Sequence, residues 1–424
     1  MKEPPELKLL CDLISIAAAG AKGKTTQIAV GQWSEILSLS LEHNVISLLA
    51  CTLLHANEEE CPDHIRGGTL AMLRGRSSEN AIRQQRIMAL LNELNNAGVS
   101  VKLLKGHSLA RYYAYPESRD AVDTDIWIGA ADEQKVYDLL EKRGFQIVER
   151  SLTSHHGICQ HRKYGKIEVH VRLYDEIVET VWFSGSEERF VKDRCEIVKT
   201  PDGQYCTLGP TDQLVFLTLH MVKHFIDGGL SIRMMLDLAL HCEHNKRQLD
   251  YQRYWRILSQ LHYADFVNAV LWILIIHGKF SEDIFEGIGI YNDRQVKLVL
   301  RDLATGGYMG KNEAELRYES AMEYNRQRLI SDKTGLYYVA YMLAWKIRSG
   351  YKLMFSSPRR LLSKYSFLQK LPFLFPVIWL YQFISFPVCK IRNGVLKRDI
   401  RNQAAVQNDG VEQRVEMFKQ LEML

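Results

Sequence analysis

The sequence has few of the features that settle a class quickly. Its eight cysteines (Cys11, Cys51, Cys61, Cys159, Cys195, Cys206, Cys242 and Cys389) include no Cys-x-x-Cys pair. Neither a zinc ribbon nor a disulfide framework is therefore signalled, and reduced thiols in a cytoplasm are the expectation. Charge of one sign is scarcely in excess: the net formal charge is +4 over 424 residues. That does not by itself point to a polyanionic partner, and with no long basic stripe a large nucleic acid is possible but not favoured. The opening MKEPPELKLL has no basic n-region followed by a long apolar run, so no signal peptide is expected. There is no internal repeat and no low-complexity stretch. One long apolar run exists, Leu371 to Cys389, against the ~20 residues needed to span a bilayer. Pro372, Pro376 and Pro387 interrupt it, as do Gln382 and Ser385, and basic residues flank it on both sides. It reads as a buried or dimer-forming helix, with an interfacial membrane helix or a true span as alternatives, so peripheral membrane contact stays open.

What is present is ordinary for a folded chain: 46% hydrophobic and 25% charged residues, with length enough for two or three domains. Residues 1–100 read as helical, with apolar residues at three- and four-residue spacing over Leu7 to Ala19, Trp33 to His55 and Ser78 to Ala97. From 101 to 209 short apolar runs alternate with a helix over Asp132 to Arg143, and two hairpins are expected, with turns at Gly165-Lys166 and Pro201-Asp202-Gly203. Helices return over 210–349: Thr211 to Phe225, Ser231 to His244, Tyr251 to Ile276, Asp293 to Leu303 and Thr334 to Ser349. A basic and apolar tail covers 350–424. The expected fold class is α+β, a mixed sheet flanked by helical regions.

The informative stretch is LLKGHSLARYYAYPESRDAVDTDIWI, Leu103 to Ile128. A strand runs into a Lys105-Gly106 turn followed by Ser108, and a second strand carries Asp123 and Asp125. Residues two apart on a strand share a face, so the two carboxylates project together while Val122 and Ile126 anchor the strand. Side-by-side carboxylates repel unless a positive charge lies between them, and a divalent metal is the economical one. A glycine turn that can approach phosphates beside such a metal makes nucleotide chemistry the leading reading, with Ser108 as a phosphate donor. A third carboxylate is expected on a neighbouring strand. Glu168 suits it, as a metal ligand or as a base toward an acceptor hydroxyl, and His170 shares its face. Lys105 reads as a phosphate contact or as a solvated lysine at a strand end. Arg119 reads as a phosphate contact or as a salt bridge to Asp120 or Glu117.

His220 and His224 stand one helical turn apart. A zinc-protease helix would need Glu where Met221 stands, so that class is excluded. Core or capping histidines and a role toward the substrate or metal both remain, with Asp237 available to orient an imidazole. The cluster His155, His156, Cys159 and His161 has metal-ligand residue types, but its spacing suits a strand and loop better than a tetrahedral zinc knot.

These motifs together resemble the uncharacterised bacterial nucleotidyltransferase family of the DNA polymerase β superfamily. The resemblance lies in the Lys-Gly turn, Tyr115-Pro116, an arginine and the Asp-x-Asp strand. It extends to IEVHVRL as an acidic-x-His strand and to LVFLTLHMVKHF…LSIRMMLDLAL as an His-x-x-x-His helix followed by a helix carrying an Asp. It spans roughly residues 30 to 310. It implies a mixed-sheet core, dependence on Mg²⁺ with two ions, and transfer of a nucleoside monophosphate from an NTP such as ATP. The acceptor would be a small molecule, sugar, protein or RNA. Carried over residue by residue, Asp123, Asp125 and Glu168 would be metal ligands, and Gly106 and Ser108 would lie in the phosphate loop. His107 departs from the Gly-Ser or Gly-Gly turn usual there. The alternative function is a catalytically silent nucleotide-binding or membrane-peripheral accessory protein for envelope polysaccharide synthesis.

Overall fold

The computed structural model of the protein describes residues 5–19, 30–55, 61–150, 156–174, 195–200, 203–306, 314–331 and 410–424. The expected helix from Thr334 to Ser349, the apolar run from Leu371 to Cys389, and His155 lie outside the described residues. Met1–Tyr318 together with Met417–Met423 forms one compact unit, and Glu319–Glu416 with Leu424 a second. The sheet and the cavity described below belong to the first. Among the described residues, no helix is long and apolar enough to cross a membrane.

The chain is α+β. Seven strands form one mixed sheet: β1 (Lys102–Leu103), β2 (Asp123–Trp127), β3 (Gln146–Glu149), β4 (His156–His161), β5 (Gly165–His170), β6 (Cys195–Thr200) and β7 (Gly203–Leu208). Their order across the sheet is β3-β4-β5-β2-β1-β7-β6. β2 runs parallel to β5, and β1 parallel to β7. The other neighbours are antiparallel.

Helices precede and follow the sheet. α1 (Pro5–Ala19), α2 (Trp33–Glu42), α3 (Ile46–Thr52) and α4 (Asp63–Asn96) lead in. The short α5 (His107–Ala110) follows β1, and α6 (Glu133–Lys142) follows β2. Beyond the sheet come α7 (Pro210–Asp227), α8 (Ile232–Asn245), α9 (Tyr251–Gln260), α10 (Ala264–Ile276), α11 (Asp293–Gly306) and α12 (Ala314–Ser331). Three boundaries differ from the sequence expectation. The helix expected over Trp33 to His55 breaks at Asn44, which takes the left-handed conformation that Asn tolerates (φ 55°). The helix expected over Tyr251 to Ile276 breaks in the same way at His262 (φ 58°). α4 starts fifteen residues before Ser78, at Asp63. Its first half carries Gly67, Gly68 and Gly75 and buries little besides Thr69, so no apolar stripe marks it. Its end follows the sequence signal: Gly98 is left-handed (φ 79°), and the Val99 N–H donates to the Leu94 carbonyl at 3.0 Å.

The core lies on one face of the sheet. Ile126, Ile167, Val169 and Cys159 point into it from β2, β5 and β4. They meet Ile87, Met88 and Leu91 of α4 and Val136, Tyr137 and Leu140 of α6. Burying each of these side chains stabilises the fold by about 1.5–3 kcal/mol. Strand alternation then sends every second residue of β2, β4 and β5 to the opposite face, where residues of α7 and α8 line a cavity with Asp123, Asp125, His156 and Glu168. α7 begins on Pro210, whose ring suits the first helical turn. α8 is capped by Ser231, whose hydroxyl accepts from the Arg233 N–H.

Candidate functional site

β2 turns Thr124 and Ile126 inward, both 1% exposed, and so turns Asp123 and Asp125 to the other face. Val122, expected to anchor the strand, is 43% exposed and lies at the cavity wall. The parallel register of β5 sets Glu168 level with Asp125, Lys166 level with Asp123 and His170 level with Trp127. β4, antiparallel to β5, places His156 opposite His170. The hairpin turn that delivers this register lies at Arg162–Tyr164, one step before the expected Gly165-Lys166. Gly165 supplies a left-handed exit (φ 76°), and Lys166 already belongs to the strand.

These side chains line one cavity of about 410 Å³. Asp123, Asp125 and Glu168 face it together. Lys105 and Gly106 enter from the β1 end, His220 and His224 from α7, and Arg119 and Asp237 from beside α8. Gly106 is obligatory: its φ is 73°, and a Cβ there would stand 3.1 Å from the Asp123 carbonyl oxygen. The Lys-Gly turn thus presses directly on the strand that carries the acidic pair.

Two lysines hold the three carboxylates together. Lys105 Nζ lies 3.2 Å from Asp125 Oδ1, and Lys166 Nζ lies 2.6 Å from Glu168 Oε1 and 3.3 Å from Asp123 Oδ2. Burial pushes the Glu168 carboxyl up, but Lys105, Lys166 and His156 outweigh it and hold the group well below the usual carboxylate range. Asp123 is lowered on the same balance, with Lys105 its main counter-charge. Asp125 goes the other way: complete burial, against the pull of Lys105 and with Asp123 and Glu168 close by, raises it well above the ordinary value. Burial opposes the Lys105 ammonium, and Asp125, Asp123 and Glu168 overcome that and raise it. Lys105 is therefore a buried, paired lysine and not a solvated one at a strand end.

Among the described residues, the three possible metal ligands that lie within 4.8 Å of one another are His156, Glu168 and His170, not the three carboxylates. Asp125 Oδ2 is buried and has no hydrogen-bond partner, which is costly unless something positive comes to it. Hard cations take carboxylate oxygens, and three carboxylates line this cavity.

The histidines are polarised by the same lysine. Lys105 Nζ donates to His220 Nε2 at 2.8 Å, which fixes that nitrogen as an acceptor and the ring as neutral. His224 Nε2 is 3.2 Å from His220 Nε2. Burial and Lys105 push His220 well below its ordinary pKa and His224 down to about 3. His170 Nε2 lies 3.1 Å from Asp125 Oδ1.

Two expected residues, Ser108 and Asp237, make other contacts. Ser108 is 2% exposed, and its hydroxyl donates to the Leu104 carbonyl at 3.2 Å, so it does not reach the cavity. His107 is likewise buried on α5, where burial and then Arg119 and Arg83 push it down to about 4. Of this turn, Lys105 and Gly106 line the cavity and His107 and Ser108 do not. Asp237 orients no imidazole. It accepts from Arg119 at 2.7 and 2.6 Å and from the Tyr113 hydroxyl at 2.8 Å. Arg119 accordingly pairs with neither Asp120 nor Glu117. Asp120 takes Ser47, Arg76 and Asn80 instead. Among the described members of the His/Cys cluster, His156 alone lines the cavity. Cys159 is in the core, and His161 packs against Phe145 and Tyr164.

Lys166, Lys223 and Arg233 also line the cavity without having been singled out. Lys166 was accessible from the sequence, since it stands two residues before Glu168 on the same strand face. Lys223 and Arg233 carry no local signal that separates them from solvated residues on helices.

A mixed sheet in which a Lys-Gly turn abuts a strand bearing an Asp-x-Asp pair, with a third acid on the adjoining strand, has the form of a nucleotidyltransferase core. The chain belongs to a family described as uncharacterised nucleotidyltransferases, whose model matches residues 30–275. That match supports nucleotidyl transfer as the general activity, and nucleotidyltransferases generally use an NTP and divalent metal. No curated protein and no solved structure matches the chain.

Proposed function

We propose that the protein transfers a nucleoside monophosphate from an NTP to an acceptor in this cavity, with Mg²⁺ held by Asp123, Asp125 and Glu168. The observation that carries the reading is the level register of Asp125 and Glu168 on parallel neighbours, with Asp123 on the same face and Gly106 against its backbone. When bound, the cation would neutralise the triphosphate and draw an acceptor oxygen toward its α-phosphorus. The chain's own groups do the rest. Lys105 and Lys166 now satisfy the carboxylates, and once a cation does so their ammonium groups become available to phosphate oxygens. Gly106 allows the phosphates close to the backbone. Asp237, itself held by the Tyr113 hydroxyl, fixes the plane of the Arg119 guanidinium at the wall. His220 and His224, held neutral, are hydrogen-bond partners rather than charge carriers. The attack forms a bond from the acceptor oxygen to the α-phosphorus, breaks the α-phosphorus bond to the bridging oxygen, expels pyrophosphate and releases the acceptor's proton to solvent in the cavity.

A binding-only reading is favoured by one observation: the lysines already neutralise the acids internally. Incubation with labelled NTPs, Mg²⁺ and cell lysate, beside an Asp123→Ala/Asp125→Ala variant, separates the two. Transfer predicts label in an acceptor with the native protein and none with the variant. Equal labelling by both would remove the assigned site, and nucleotide binding with no labelling by either would favour the binding-only reading.

A further inference from the structure

We propose that His156, Glu168 and His170 form a separate cation position for a borderline divalent transition ion of the Zn²⁺, Co²⁺ or Mn²⁺ kind, on the β4 side of the carboxylates. One donor atom from each lies within 4.8 Å of the others. The two oxygens of Glu168 face different ways. Oε1 is held by Lys166 at 2.6 Å, whereas Oε2 stands 3.9 Å from His156 Nε2 and 3.8 Å from His170 Nε2. Ligands at about 2.1 Å in a tetrahedral set are about 3.4 Å apart, so each imidazole nitrogen must approach Glu168 Oε2 by about half an ångström. The sheet fixes the approach. His156 and His170 are directly paired across β4 and β5, with ring centroids 5.0 Å apart, and both line the cavity.

The donor types decide the class of ion. Mg²⁺ takes oxygen and keeps its waters, whereas two imidazoles and one carboxylate suit first-row transition ions, with Zn²⁺ and Co²⁺ bound more tightly than Mn²⁺. Three protein ligands leave a position open toward the cavity. His170 Nε2 currently meets Asp125 Oδ1 at 3.1 Å, and that contact would yield to the ion. Glu168 would then bridge two cation positions, one of pure oxygen character and one containing nitrogen. Binding of the ion stands on this geometry alone. Only its use in catalysis rests on the nucleotidyl-transfer reading above.

The test is a Co²⁺ titration of the full chain in excess Mg²⁺, followed by visible absorption and calorimetry. The expected result is one Co²⁺ per chain that Mg²⁺ does not displace, weakened about tenfold or more by His156→Gln. His156→Cys should restore binding and add a thiolate charge-transfer band, which a merely structural role for His156 would not produce. No Mg²⁺-resistant Co²⁺ on the native chain, or equal affinity in His156→Gln, would overturn the proposal. So would a loss in His224→Gln with none in His156→Gln, because the ion would then belong to α7. NTP labelling in Mg²⁺ alone is scored separately. Co²⁺ binding without labelling removes the reaction and leaves the site, and labelling without Co²⁺ binding does the reverse.

Discussion

β2 and β5 have two faces made of the same ten or so residues, and the faces obey opposite rules. On one, Ile126, Ile167 and Val169 are at most 1% exposed and pack against α4 and α6. On the other, Asp123, Asp125, Lys166, Glu168 and His170 crowd charge into a half-buried cavity. The first face holds the fold together. The second assembles groups that burial alone would separate, and holds them by pairing: Lys105 to Asp125, Lys166 to Asp123 and Glu168. A half-satisfied buried charge network adds little stability, so the rigid apolar face is what keeps the charged one in register.

The largest expected effect separates the faces outright. Asp125→Asn should lower nucleotidyl transfer by about a thousandfold or more, equivalent to about 4 kcal/mol in the barrier. The unfolding midpoint should move little, because the amide has the same shape and Lys105 keeps Asp123 and Glu168 as counter-charges. Steady-state rates and denaturant unfolding on one preparation check both halves.

Next comes the fixed wall of the cavity. Asp237→Ala strands the buried Arg119 guanidinium, which is 5% exposed, and should cost about 3–5 kcal/mol of stability. Thermal unfolding of the variant beside native protein measures it, and a loss below about 1 kcal/mol would show that the pair is not the anchor it is taken to be.

A pH scan probes burial away from the site. His241 is 1% exposed, donates to the Pro210 carbonyl at 2.8 Å and is pushed down to about 4, mainly by burial. The folded state therefore takes up this proton less readily than the unfolded chain, whose histidine titrates near the ordinary 6.5. The contribution of His241 is complete above about pH 6.5 and is lost as pH falls through about 4, up to about 3 kcal/mol in all. Unfolding midpoints across that window should fall more steeply for native protein than for His241→Gln.

The smallest effect belongs to the apolar face. Ile167→Val, one residue from Glu168, should cost about 1 kcal/mol of stability and leave transfer nearly unchanged. A large loss of transfer from this change would mean that the core face tunes the site rather than supporting it.

Much of this division was legible in the sequence, since period-two alternation in DTDIW and KIEVH places the acids together and the apolar residues opposite. The α+β class, both hairpins and most of the described helices after the sheet followed from local pattern. What the pattern could not supply was partnership. Arg119 lies beside Asp120 in the chain yet pairs with Asp237, more than a hundred residues away, as only packing of α8 could arrange. Ser108 sits in a loop-like motif, but α5 turns its hydroxyl back to Leu104. His156 was one of four similar residues until the β4–β5 register set it opposite His170. The long α4 was half hidden because its first turns bury almost nothing.

The central claim is that the charged face moves a nucleoside monophosphate. Paired incubations with an NTP labelled at the α-phosphate and the same NTP labelled at the γ-phosphate, with Mg²⁺ and lysate, test it most directly. The account predicts that the α-label enters an acceptor, that the γ-label leaves as pyrophosphate, and that Asp125→Asn abolishes both. Transfer of the γ-label to the acceptor, or undiminished α-labelling by Asp125→Asn, would contradict it.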